Sequence, residues 1–137
     1  MRVTYLGPAA LGHTHPALEG QEVRQYPPSC YLVEVSAEAG VDGPVIEGDV
    51  LVVDEARAPG HADLVVAEVE GEQRLFRAHR IGGTFRLLPM AGPRISLAAR
   101  PRDLRGVVVR QARASEGDGL QGVAEISHGR AAAAGPF

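Results

Sequence analysis

The chain has no lysine: the 14 residues counted as Lys or Arg are all arginine. It therefore holds no Schiff-base amine, no phosphate-loop Gly-Lys-Ser/Thr and no lysine general base. Tryptophan is also absent, and there are only three Tyr and three Phe in 137 residues, so a core must be built mainly from Val, Leu, Ile and Ala. The single cysteine, Cys30, cannot close an intrachain disulfide and reads as a small core residue. No apolar run approaches the roughly 18 to 20 residues of a membrane span. The N-terminus, MRVTYLGPAALGHTHP, meets Gly, His and Pro before the apolar stretch of a signal peptide could form. The cytoplasm is the expected compartment, with no membrane partner.

What is present is enough for one domain. The net charge of -3 argues against a uniformly basic nucleic-acid binder, but it hides a segregation. Residues 1–70 carry 3 Arg against 12 Asp and Glu, whereas residues 71–113 carry 10 Arg against 2. Neighbouring strands could interleave the two signs on one surface. Alternatively, Arg74, Arg77, Arg80, Arg100, Arg102 and Arg105 could form a basic face for an acidic partner or for weak contact with DNA.

Pro8, Gly12, Pro16, Gly20, Pro27 and Pro28 interrupt the first thirty residues, which predicts an extended N-terminal arm over 1–30. From Tyr31 onward, short β-branched runs alternate with turn residues: 31–36, 49–54, 63–69, 72–79, 84–88 and 104–110. The turns at Glu70-Gly71 and Gly82-Gly83 predict a meander of the third to fifth runs. Leu51-Val-Val53 and Val107-Val-Val109 are apolar at consecutive positions, as in strands covered on both faces. The fold class expected is mainly β: a single folded or barrel-like sheet over 31–113, followed by a flexible tail over 114–137.

Four pieces of this pattern, in order, carry a family resemblance. They are Tyr31-Leu-Val-Glu-Val-Ser-Ala-Glu-Ala-Gly-Val-Asp-Gly43 with Glu47-Gly-Asp-Val-Leu-Val-Val-Asp54, Gly60 to Gly71, Phe85-Arg-Leu-Leu-Pro-Met90, and Asp103-Leu-Arg-Gly-Val-Val-Val109. Together they resemble the catalytic domain of the LexA/UmuD group of self-cleaving Ser/Lys peptidases. The 1–30 segment leaves no room for a helix-turn-helix, so the likeness is greater to UmuD in its cleaved form.

The resemblance implies chemistry that these residues cannot perform. In the family a serine hydroxyl attacks a peptide carbonyl while a deprotonated lysine takes its proton. The residue matching the serine is Ala39 and the residue matching the lysine is Phe76. A serine at 39 alone would not restore the pair. Arg77, beside Phe76, cannot serve, because a guanidinium stays protonated. The chain reads as a degenerate peptidase with no catalytic residues and no cofactor, its former pocket filled by Phe76.

The resemblance further implies a homodimer pairing around Leu104, Val107, Val108 and Val109, which assists an error-prone DNA polymerase in the SOS response to DNA damage and meets the recombinase filament. A decoy or accessory dimer for a LexA-like repressor is the variant reading. Three further constellations weigh less. Ser36 with His79 could make a residual nucleophile and base, but strand spacing separates them from the matched positions. His13-Thr-His15 lacks a nearby Cys, Asp or Glu in sequence to complete a metal shell, so an exposed arm is expected. Asp42, Glu47, Asp49 and Asp54 lack a calcium-loop spacing and read as turn residues.

Overall fold

The computed structural model describes residues 1–36, 41–42, 45–90, 96–98, 100–114 and 121–122. The β-branched runs form strands where the spacing predicts them. The elements are β1 (Val3–Pro8), β2 (Cys30–Val35), β3 (Val41–Asp42), β4 (Val45–Ile46), β5 (Val50–Asp54), β6 (Leu64–Val69), β7 (Glu72–Ile81), β8 (Thr84–Pro89), β9 (Leu97–Ala98), β10 (Leu104–Ala112) and β11 (Gln121–Gly122). There is no α-helix among the described residues, and hence no helix long and apolar enough to cross a membrane. The predicted meander is β6–β7–β8. Both of its turns have positive φ at their two central residues, Glu70 (53°) with Gly71 (80°) and Gly82 (56°) with Gly83 (82°). That geometry matches the twist of the flanking strands.

One antiparallel sheet runs in the order β1-β2-β5-β10-β6-β7-β8-β9, with β11 also on β10 and β3–β4 a separate ribbon. The sheet curls into a half-barrel until its first strand reaches β7. Arg2 bridges Arg74, and the Leu75 N–H donates to the Met1 carbonyl at 2.7 Å. Gly106 sits at an irregularity in the β10–β6 pairing with φ 139°; a Cβ there would lie 2.6 Å from Val53 Cγ1. Only glycine allows this close crossing of β10 over β5.

Strand alternation divides the apolar residues between two faces. The inner face gathers Val3, Val33, Val35, Val45, Leu51, Val53, Leu64, Val66, Leu75, Met90 and Val108. On the outer face, Leu32, Val50, Val52 and Ala112 are covered by Ala9, Ala17, Leu18 and Val23. The N-terminal arm is thus laid on the sheet: β1 pairs with β2, and two short 3-10 turns follow it across β2 and β5. Its prolines break the segment, but the small apolar residues between them still find a surface to cover. A third cluster, Val65, Ala67, Phe76, Ala78, Leu87 and Val107, lies on the outer face of β10, β6, β7 and β8. The predicted tail over 114–137 lies outside the described residues except for residue 114 and β11.

Candidate functional site

The two ends of the inner face differ in chemistry. At one end, Asp49 continues the inward row of Val53 and Leu51, and Gln111 and Arg113 continue the row of Val108 on the neighbouring strand. The Asp49 carboxylate is fully buried. It accepts two charge-assisted bonds from Arg113, from Nε at 2.8 Å and from Nη2 at 2.9 Å. It also accepts the Ile46 N–H at 3.0 Å and the Gln111 amide. The acidic residue of the Gly48-Asp49 step therefore does more than occupy a turn. It ties the 46–49 turn to the end of β10, and the fork-like Arg–carboxylate geometry compensates its burial.

Ser36, which is 8% exposed, ends β2 on this side, and its N–H donates to the Arg2 carbonyl. Ala39, three residues further on, lies outside the described residues. Phe76, the position matching the lysine, points to the opposite face from Leu75. It is 2% exposed and packed with Val65, Ala78 and Val107. The Ser36/His79 pair is not assembled. Ser36 is held beside Arg2, which faces Arg74, and His79 lies five residues further along β7, about 17 Å at the rise of a strand. His79 instead sits against His61, with ring centroids 5.2 Å apart. Desolvation, then the neighbouring charges of His61 and Arg77, hold its pKa below the ordinary value.

The arginines do not share one face. Alternation along β7 puts Arg74 and Arg80 on the side of Phe76 and Arg77 on the side of Leu75. Several are answered locally: Arg74 by Glu72, Arg100 by Asp103 and Arg105 by Glu68, while Arg77 donates to the Ala62 carbonyl and Arg80 lies over the Phe85 ring. Arg102 is exposed, in the turn before β10.

β10 is an interior strand, bounded by β5 and β6. Val107 and Val108 are 2% and 0% exposed, because their side chains fill the chain's own outer and inner clusters. A partner could reach only Leu104 and Val109 of the four strand residues, both half-buried. Leu104 joins Val69, Phe85 and Leu97 in a partly exposed apolar rim around the third cluster.

His15 departs from the exposed position expected of it. Its side chain is 13% exposed, its Nδ1 accepts the Ala17 N–H at 2.9 Å, and its Nε2 lies 2.6 Å from Glu34 Oε2. The carboxylate missing from the local sequence comes from β2, 19 residues on. Both ring nitrogens are engaged in fixing the arm to the sheet. No cluster of three metal-ligating side chains occurs among the described residues. Cys30 is 2% exposed, and burial pushes its thiol up, as suits a core residue.

Comparison with known proteins finds partial matches to two kinds of protein. The chain is 34% identical over 59 residues to LexA repressor 2 of Pseudomonas putida, covering 43% of this chain and 29% of that protein. It is 41% identical over 46 residues to Protein ImpA of Salmonella typhimurium, covering 34% of this chain and 32% of ImpA, and the same figures hold for the Escherichia coli ImpA. These matches support a LexA/UmuD-family relationship. The mainly β half-barrel is consistent with that type of fold. The matches span less than a third of each of these relatives, and no protein-family profile matches the chain.

Proposed function

We propose that the chain is a LexA/UmuD-like domain that has lost peptidase chemistry and works by binding, as a homodimer that assists an error-prone DNA polymerase during the DNA-damage response. The observation that carries the reading is Phe76. The family resemblance puts the general-base lysine at this position, and here an apolar ring is packed into the third cluster of a chain that has no lysine. A buried ammonium would need a partner, whereas a buried phenyl ring is stabilising by about 1.5–3 kcal/mol relative to an exposed one. Ala39, matched to the serine, supplies no hydroxyl.

The rim of Val69, Phe85, Leu97 and Leu104 is the favoured surface for the second copy, since a two-fold contact places the same patch on both sides. The reading as an Arg-rich nucleic-acid module gains less support, because the arginines divide between faces and several are paired with carboxylates.

The decisive experiment incubates the purified chain with a LexA-like cleavable substrate and activated recombinase filament, and measures its mass by sedimentation. A dimer that cuts nothing, and that co-purifies with an error-prone polymerase co-expressed with it, is the expected result. Cleavage that disappears on Ser36→Ala would overturn the reading. Steep, log-linear loss of single-stranded DNA binding with salt would move it toward the nucleic-acid module.

A further inference from the structure

The other end of the inner face is open. Beyond Leu75, Val33 and Val3, the next inward-facing residues are Gln73, Tyr31 and Tyr5. With Pro8, Ser29, Glu55 and Arg105 they line a cavity of about 280 Å³. This volume lies just below the range of small-molecule pockets and suits one long side chain better than a drug-sized ligand.

The wall is rich in acceptors. Gln73 Oε1 has no hydrogen-bond partner among the described residues and almost no accessible surface, so it meets a donor from the cavity only when its amide turns toward it. A buried acceptor left unmet is unfavourable until something donates to it. The Glu55 carboxylate stands at the rim, on an exposed residue, and adds to burial in raising the Tyr31 phenol pKa. The Tyr5 and Tyr31 rings meet at 5.5 Å and 47°, adding two π faces. The Tyr31 hydroxyl is committed to the Arg105 carbonyl.

Arg105, the one cation on the wall among the described residues, is already answered. Its Nη1 donates to the carbonyls of Arg102 and Leu104, and its Nη2 donates to Glu68. What remains to be matched includes a carboxylate, an amide oxygen and aromatic faces.

We propose that this cavity binds the guanidinium of an arginine side chain presented by a partner polypeptide. A planar fork of five N–H donors can give to the exposed Glu55 carboxylate while lying against a tyrosine ring, where a cation is attracted to the π face, and can give one more to Gln73 Oε1 once that amide turns toward it. The site lies at the opposite end of β2 from Ser36, about 17 Å away at the strand rise, and it stands independently of the pseudo-peptidase reading.

The test is NMR titration of the full chain with N-acetyl-L-arginine amide, observing the tyrosine ring signals. The citrulline analogue serves as neutral isostere, and adenosine monophosphate as an anionic, aromatic probe of a different class. Saturable shifts of Tyr5 and Tyr31 with the arginine probe are expected, weakened at least tenfold in both Gln73→Leu and Glu55→Gln and at least tenfold weaker with citrulline. Glu55 is exposed, so its variant keeps the test valid if the Gln73 change disturbs folding. Preferential binding of the nucleotide, equal binding of citrulline, the absence of saturation, or indifference to Glu55→Gln would each overturn the proposal.

Discussion

The half-barrel has one end whose buried charge is answered and one end whose buried acceptor is not. At the closed end, Asp49 collects bonds from Arg113, Gln111 and the Ile46 N–H, drawing on both β10 and the turn before β5. At the open end, Gln73 Oε1 is buried beside two tyrosines and a carboxylate with nothing among the described residues donating to it. Both ends sit on the same curled sheet and share the same apolar interior. At the closed end the polar groups answer a buried charge across strands, whereas at the open end they line the cavity proposed to take an arginine.

The strongest attack on this contrast is Asp49→Ala. It removes the carboxylate to which the Arg113 guanidinium and the Gln111 amide donate, and breaking a buried pair in this way costs about 3–5 kcal/mol. Arg113 is 30% exposed and can turn partly to water, so the lower end, about 3 kcal/mol, is expected. Urea unfolding should show the midpoint falling with an unchanged slope. A triple change to apolar residues at 49, 111 and 113 should recover most of the loss, because no charge is then left unpaired. A negligible effect of Asp49→Ala alone would remove the distinction between the ends.

Tyr31→Phe tests the open end at a smaller scale. It removes the hydroxyl that donates to the Arg105 carbonyl and should cost about 1 kcal/mol. Burial first, then the nearby Glu55, pushes the Tyr31 phenol well above its ordinary value, with Arg105 opposing. Above pH about 10 the unfolded chain therefore releases a proton that the folded chain retains. The stability this group contributes is full below that pH and is lost as pH rises toward its folded value. Denaturant midpoints measured from pH 8 to pH 11 should fall more steeply for the wild type than for Tyr31→Phe. Parallel curves would place the phenol in water.

The sheet was largely legible because its strands are β-branched runs set between turn residues, and Leu51-Val-Val53 is buried on both faces as consecutive apolar positions require. β1 was not legible: Val3 to Pro8 lacks alternation, and β2 and the bridge to Arg74 hold it in place. The positive block after Glu72 was plain as a count and misleading as a surface, because the two-residue period of β7 sends Arg74 and Arg77 to opposite sides. Asp49 looked like one turn acid among four, and nothing local marks its partners 62 and 64 residues away. His15 hid its carboxylate in the same way, on another strand. Phe76 could be singled out in sequence, since the oddity lies in what a matched position holds and needs no geometry to be seen.

Gln73 is where the contrast between the ends can be sharpened most finely, because the expected effect on stability is the smallest. Removing a hydrogen-bonded partner at the closed end strands other groups, but at the open end no described group depends on Gln73 Oε1. Gln73→Leu takes away an acceptor that is desolvated and unmet, and a leucine of similar length extends the inward row of Leu75. The unfolded chain also loses a well-hydrated amide, so the two contributions favour the folded state together. The variant should stay within about 0.5 kcal/mol of the wild type or gain slightly in a urea midpoint, while losing the arginine probe. A loss of several times that size, with binding unchanged, would mean that Gln73 holds the barrel wall as Asp49 does and that the open end is built like the closed one.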